Sequence, residues 1–201
     1  MKNILINKII EFIPKGSKVL DLGCGNGELL HRLSKEKGIK GYGVEIDLNE
    51  IVESTKKGIP VFHGNIDEGL PEFATNSYDV VILSQTLQQV KKPLFVISEM
   101  LRIGKLGIVT FPNFAYWQVR TNLFFKGTSP KTPTLPYDWF NTPNIRVLSI
   151  KDFRRLCNKE NIGIAKEIPI YETKLFAGIL PICFSNLCSK KGMFVIGSDL
   201  Q

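Results

Sequence analysis

The residues best suited to chemistry form a short stretch near the start of the chain, where an apolar run ends in an acid and then in alternating glycines. The run Val19–Leu22 contains Asp21, and Gly23, Gly25 and Gly27 follow it. Apolar residues of this kind are typical of a parallel strand covered on both faces, and glycines permit positive φ and close approach of a ligand to the backbone. The pattern predicts a buried strand and a loop that together hold a nucleoside ligand.

The spacing of this glycine loop excludes two common phosphate sites. A dinucleotide fingerprint would place its third glycine where Glu28 stands, and a P-loop would need Lys followed by Ser or Thr after its last glycine. Asp21 and Glu28 would repel a pyrophosphate, whereas each would attract a close cation by about 4 kcal/mol at an effective dielectric constant of about 20. S-adenosylmethionine carries a sulfonium and an ammonium group and no phosphate, so it matches these charges. Asp21 has an alternative role, in which it braces the loop by accepting backbone N–H groups.

Further candidate residues follow the next three predicted strands. Glu45 ends the strand that begins at Gly41, where an acid can accept hydrogen bonds from both ribose hydroxyls, and Ile46 lies beside it. Asn65 and Ile66 follow the third strand at the expected place of adenine, and Ser84 follows the fourth. Because the carboxyl ends of parallel strands meet at one edge of a sheet, we expect these residues to converge.

These segments resemble the class I S-adenosylmethionine-dependent methyltransferases. The resemblance covers roughly residues 17 to 111 and rests on three segments in order, VLDLGCGNG, GVEID and SYDVVILSQTL. A narrower resemblance, to the MetW family of methionine biosynthesis proteins, extends to about residue 160 through DEGLPEF, EMLRIGKLGIVTFPNFAYW and LPYDWFNTPNIRVLSIKDFRRLC. It implies an S-adenosylmethionine or S-adenosylhomocysteine site and a partnership with homoserine O-acyltransferase, the enzyme that activates homoserine for sulfur incorporation.

The order of predicted elements indicates an α/β fold. An amphipathic helix at the N-terminus is followed by alternating strands and helices, which predicts a doubly wound, mostly parallel sheet with right-handed crossovers. The resemblance implies seven strands, the last of them antiparallel. We expect a single methyltransferase-like domain over residues 1–201, with an aromatic and proline-rich insertion at about 112–148 that serves as a lid or a docking surface.

Composition and charge limit the possible partners. The longest apolar stretch, Leu175–Phe184, is well short of the ~20 residues that cross a bilayer, and the cysteines and histidines show no zinc spacing. We therefore expect a cytoplasmic protein with no membrane segment and no metal. Residues 101–201 carry a net charge of +8 against −1 for residues 1–100, which favours an acidic partner for the second half. No nucleic-acid-binding module is recognisable, so we expect no nucleic acid partner.

The sequence does not encode a clear methyl-transfer chemistry. Many small-molecule methyltransferases have a histidine where Gln88 or Gln89 stands, and an amide is no general base near neutral pH. His31 and His63 are predicted to be structural. Two functions stay open at this point: a methionine biosynthesis protein that acts with or regulates the acyltransferase, and a methyltransferase for a small metabolite that uses Arg120 or Arg146 to pair with a substrate carboxylate.

Overall fold

The computed structural model describes residues 2–171 and 184–197 of the chain. Helices and strands alternate through most of these residues. In chain order the elements are α1 (Lys2–Phe12), β1 (Lys18–Leu22), α2 (Glu28–Lys37), β2 (Lys40–Glu45), α3 (Leu48–Lys56), β3 (Val61–His63), β4 (Tyr78–Ser84), α4 (Pro93–Ile103), β5 (Gly104–Pro112), α5 (Trp117–Lys126), α6 (Ile150–Lys159), β6 (Gly163–Ile170), α7 (Ser185–Cys188) and β7 (Lys191–Gly197).

Seven strands form one sheet in the order β3-β2-β1-β4-β5-β7-β6. All pairs among β1 to β5 are parallel, whereas β7 lies antiparallel to both β5 and β6. This arrangement confirms the predicted doubly wound sheet of the class I methyltransferase type, including its antiparallel last strand.

The core lies on both faces of this sheet, because alternate residues of each central strand point to opposite sides. On one face, Val19 of β1 and Val80 of β4 pack with the apolar residues of α1 and α2. On the other face, Leu20 and Val81 pack with the apolar residues of α4 and α6. Strands buried on both sides explain the nearly continuous apolar runs in the sequence.

The segment predicted as an insertion contains a helix and a tight turn, and is therefore more than a connecting loop. Within 112–148 the chain forms α5, and Thr132 and Leu135 form a tight turn in which each backbone N–H donates to the other's carbonyl at 3.0 Å. Leu135 packs with Tyr116 and Val119 in a small apolar cluster separate from the main core. This cluster fixes the turn against α5.

The start of α6 lies within the described residues, whereas the longest apolar stretch of the sequence lies almost entirely outside them. Helix α6 begins with a reciprocal capping box formed by Ser149 and Asp152, as the Ser-x-x-Asp spacing indicates. The apolar stretch 175–183 lies outside the described residues, and so does Cys183. Over the described ranges, no helix combines the length and the hydropathy that a bilayer crossing requires.

Candidate functional site

The glycine loop between β1 and α2 has the backbone that the sequence predicts. Gly23, Gly25 and Gly27 have φ values of 74°, 53° and 71°, in the left-handed region that favours glycine. The loop is tied to the end of β2, because the N–H groups of Gly23 and Cys24 donate to the carbonyl of Val44 at 2.8 and 3.1 Å. The loop therefore has a fixed position beside the end of β2.

The three glycines nevertheless have different surroundings. A Cβ at Gly27 would collide with the side chain of Ser54 in α3, and a Cβ at Gly23 would lie 2.7 Å from Thr86 Cγ2. At Gly25 the nearest atom to such a Cβ is Glu50 Oε2 at 3.7 Å. Gly27 thus permits close packing of the loop on α3, while Gly25 leaves open space above the loop.

Glu45 holds the loop through its carboxylate. One oxygen accepts from Gly25 N–H at 2.8 Å, and the other accepts from the N–H groups of Ile46 and Asp47 at 2.8 and 3.1 Å. A carboxylate has about four acceptor positions, so capacity for a ligand hydroxyl remains. Glu45 thus fixes the loop and keeps one acceptor position free of the backbone.

Asp21 is the buried acid of the site. It is 2% exposed, and its Oδ1 is buried without a hydrogen-bond partner. Burial, followed by the nearby charge of Glu45, raises the pKa of Asp21 from 3.8 to about 7. Asp21 Oδ1 accepts no backbone N–H, so this oxygen does not support the alternative in which Asp21 braces the loop.

The residues predicted for adenine lie at the end of β3. Asn65 caps the short 3-10 turn Ile66–Glu68, accepting from Asp67 N–H at 3.1 Å and donating to Glu68 Oε1 at 2.7 Å. Asp67 in turn accepts from the N–H groups of Lys91 and Lys92. The amide oxygen of Asn65 therefore has one local donor already and one acceptor position left.

The end of β4 contributes a strained residue to the same edge. Ser84 Oγ lies 3.2 Å from Thr110 Oγ1, and Gln85, with a φ of 60°, donates its N–H to the Thr110 carbonyl at 2.9 Å. Left-handed backbone in a residue other than glycine is uncommon and tends to occur at functional sites.

These strand ends surround a cleft of about 1110 Å³. Eight of the nine predicted cofactor residues line it, and Gly27 is the exception, being packed against α3 as described. The lining residues among those predicted are Asp21, Gly23, Gly25, Glu45, Ile46, Asn65, Ile66 and Ser84.

The cleft is acidic in a chain of positive net charge. Its lining includes six carboxylates and two lysines, Lys91 and Lys191. Glu28 is partly balanced by Lys57, whose Nζ lies 3.3 Å away. An acidic cleft attracts a cationic ligand and repels a polyphosphate.

The cleft has two further walls, one of which belongs to the insertion that was predicted as a lid or a docking surface. One comes from Leu5 and Ile6 of α1, and the other from the turn residues Pro133 and Thr134 with the neighbouring Tyr137. The sequence carries no local signal for the wall from α1, because that wall depends on how distant segments pack.

The candidate bases and cations of the sequence lie elsewhere. His31 Nδ1 and His63 Nε2 each lie 3.2 Å from a backbone carbonyl, and neither histidine lines the cleft, as expected for structural histidines. Arg120 donates to the Ala115 carbonyl at 2.6 Å, and Arg146 donates to the Lys91 carbonyl at 2.5 Å. Neither arginine lines the cleft, so the pairing with a substrate carboxylate stays a prediction that the cleft lining does not support.

Comparison with solved structures agrees with the topology. A methyltransferase dependent on S-adenosylmethionine from Mesorhizobium loti superposes with a TM-score of 0.68 at 15% identity, over 96% of this chain and 95% of that one. The [4+2]-cyclase SpnF superposes with a TM-score of 0.68 at 13% identity, over 99% of this chain and 82% of that one. The chain therefore has the class I methyltransferase fold.

Sequence comparison defines the family within this fold. The model of the family "Methionine biosynthesis protein MetW" matches residues 5–196. A bifunctional methionine biosynthesis protein MetXA/MetW of Rhodopirellula baltica is 40% identical over 175 residues, which are 83% of this chain and 28% of that protein. The chain belongs to the MetW family.

More distant relatives are enzymes. A demethylmenaquinone methyltransferase of Listeria monocytogenes is 29% identical over 133 residues, 59% of this chain and 55% of that protein. The chain thus spans about a quarter of the bifunctional relative and about half of this methyltransferase.

Proposed function

We propose that this protein binds S-adenosylmethionine in the acidic cleft and acts in methionine biosynthesis by associating with homoserine O-acyltransferase. The main observation that supports this ligand is that eight predicted residues line one acidic cleft. S-adenosylhomocysteine shares the nucleoside and is the alternative ligand.

The residues of the cleft fit the parts of this ligand. Glu45 offers free acceptor capacity for ribose hydroxyls, and the exposed Ile46 beside it offers an apolar surface to adenine. Asn65 keeps an acceptor position for the adenine amino group. Asp21, buried with an unpartnered oxygen, attracts the positively charged end of the ligand.

The partnership rests on the relative from Rhodopirellula, whose name joins MetXA and MetW in one bifunctional protein. Two activities carried on one chain are held at high effective concentration, which is useful when they work together. Cytoplasmic localisation belongs to the same proposal, and the free thiols of Cys24 and Cys157 suit that reducing compartment.

Regulation is favoured over methyl transfer because the cleft lining contains no histidine and neither candidate arginine. The cyclase SpnF has the same fold, so the fold by itself does not imply methyl transfer. The cleft then reports the concentration of ligand to the acyltransferase.

The decisive experiment combines two assays. The protein is purified with the homoserine O-acyltransferase of the same genome, and acyl transfer is measured with and without S-adenosylmethionine. We expect a stable complex whose rate depends on this protein and on the ligand. In parallel, radiolabelled methyl donor is incubated with a metabolite extract, and transfer to a metabolite, with no association, would support the methyltransferase alternative instead.

A further inference from the structure

The insertion carries aromatic side chains that the cleft does not use. We call Trp117, Phe124, Phe125, Trp139 and Phe140 the insertion aromatics. Their exposed fractions run from 46% for Trp117 to 82% for Phe124, and none of them lines the cleft. Phe124 packs edge-on against Phe125, and Trp139 against Phe140. A substrate lid would direct such rings into the cleft.

We propose that the insertion aromatics form the surface on which homoserine O-acyltransferase docks; this inference rests on the proposed function. Aromatic side chains bury about 150–250 Å² each when covered, so the exposed parts of these five amount to roughly 500–900 Å². A standard protein interface buries about 800 Å² on each partner. The summed exposed area of the insertion aromatics is therefore of the same order as the area that one partner of a specific complex buries.

The architecture of α5 agrees with a docking role. Of its ten residues only Val119 is buried, and Leu123 is also exposed at 57%. The helix is held in place by Val119 and Tyr116, which pack on Leu135 of the turn. It thus presents apolar side chains outward from a fixed base, as protein-binding helices do.

Charge favours a different protein over a second copy of this chain. Residues 113–148 contain four cations and one anion. Two copies meeting through this segment would bring like charges together, whereas a partner with an acidic rim around an apolar surface would be attracted. Tryptophan, phenylalanine and arginine, all present in this segment, are enriched at protein interfaces.

The position of the surface links it to the ligand. Pro133 and Thr134 line the cleft, and Leu135 next to them packs on α5. A partner that holds α5 therefore also fixes one wall of the cleft. Ligand and partner are expected to bind cooperatively for this reason.

The test measures the dissociation constant between the full chain and the acyltransferase by biolayer interferometry. The double variant Phe124→Ser/Phe125→Ser is expected to weaken binding at least about 30-fold. Its matched control is Leu94→Ser/Phe95→Ser, which changes two consecutive exposed apolar residues of α4. We expect this control to change binding less than twofold. Retained S-adenosylmethionine affinity and an unchanged melting temperature show that each variant is folded.

A photo-cross-linking side chain at position 124 identifies directly which protein covers the insertion aromatics. Cross-links to the acyltransferase support the proposal. Cross-links to a second copy, or to residues of this chain outside the described part, overturn it. Equal binding by both double variants also overturns it while leaving the partnership intact, whereas no binding by the unmodified protein refutes the partnership itself.

Discussion

The N–H of Gly25 and the carboxylate of Glu45 are joined by a 2.8 Å hydrogen bond that connects the glycine loop to the end of β2. The bond makes the shape of the loop depend on an acid twenty positions later in the chain. The same carboxylate is the predicted ribose ligand, so loop geometry and ligand affinity share one side chain.

Replacement of this acid should therefore reduce affinity strongly. Glu45→Ala removes the acceptor for three N–H groups and for the ribose, and hydrogen bonds to a charged group contribute about 1.5–3 kcal/mol. We expect S-adenosylmethionine to bind about 10- to 100-fold more weakly by calorimetry. Glu53→Ala on the exposed face of α3 is the control and should bind like the unmodified protein. Equal affinity of both variants would remove Glu45 from the site.

The raised pKa of Asp21 should make stability depend on pH. A carboxyl whose folded-state pKa is about 7 stabilises the fold when protonated, fully below pH 4, and this contribution is lost as pH rises through 7. Between pH 5 and 8 the loss amounts to about 2–3 kcal/mol. We expect Asp21→Asn to lack this loss. The free energy of unfolding measured in urea should therefore rise for the variant, relative to the unmodified protein, as the pH increases toward 8.

Asp79 provides a control of opposite sign. Hydrogen bonds from Lys18 N–H and Lys105 lower its pKa, so its contribution is present at neutral pH and disappears on acidification. Asp79→Asn should leave the trend between pH 5 and 8 unchanged. If Asp21→Asn and the unmodified protein follow parallel curves over that range, Asp21 is already ionised.

Ligand binding should show the same titration. A cationic ligand favours ionised Asp21, so binding S-adenosylmethionine near pH 7 should release a proton from it. We expect affinity to rise between pH 6 and 8, and the heat of binding to depend on the ionisation enthalpy of the buffer. Binding of S-adenosylhomocysteine, which lacks the sulfonium, should release a smaller fraction of a proton. Identical proton release by the two ligands would contradict a role for Asp21 in sensing the charge.

Gly27 allows the packing contribution of the loop to be measured separately from ligand binding. Gly27→Ala introduces a Cβ at a φ of 71° and into the side chain of Ser54, so we expect a loss of about 2–4 kcal/mol in the free energy of unfolding. Gly38→Ala, at a φ of 62° with nothing within 4 Å, should lose only about 1 kcal/mol. A similar loss in both would mean that the contact with α3 has little energetic effect.

Leu135 tests the wall formed by the insertion. Leu135→Ala empties the small cluster with Tyr116 and Val119 and frees the turn that carries Pro133. Because this cluster is separate from the main core, we expect weaker ligand binding, by about three- to tenfold, with little change in the melting temperature. Leu123→Ala on the exposed side of α5 is the control, and an effect of equal size there would exclude the wall as the cause.

Much of this molecule is predictable from local patterns, and the rest depends on distant contacts. The doubly wound, mostly parallel sheet with its antiparallel last strand follows from the order of the predicted elements and the family resemblance, and the fold confirms it. The glycine loop also has the positive φ values that its sequence indicates. Helix α5 was missed because its apolar side chains point outward and give no clear amphipathic period. A weaker signal did exist, since no proline lies between Pro112 and Pro130.

The depth of Asp21 could not be read from the sequence for a different reason. Its burial arises because β2 and β4 flank β1 in register, with Asp21 opposite Gly43 and Ile82. Those neighbours are 22 and 61 residues away. Burial, and with it the raised pKa, is a property of the assembled sheet.

Strand β7 sits between β5 and β6 although it follows both in the chain. Until residues 191–197 emerge from the ribosome, β6 has no neighbour with which to pair, and β5 presents an open edge. Completion of the sheet therefore waits until this segment has been synthesised, and until then the open edge of β5 is a place where aggregation can begin.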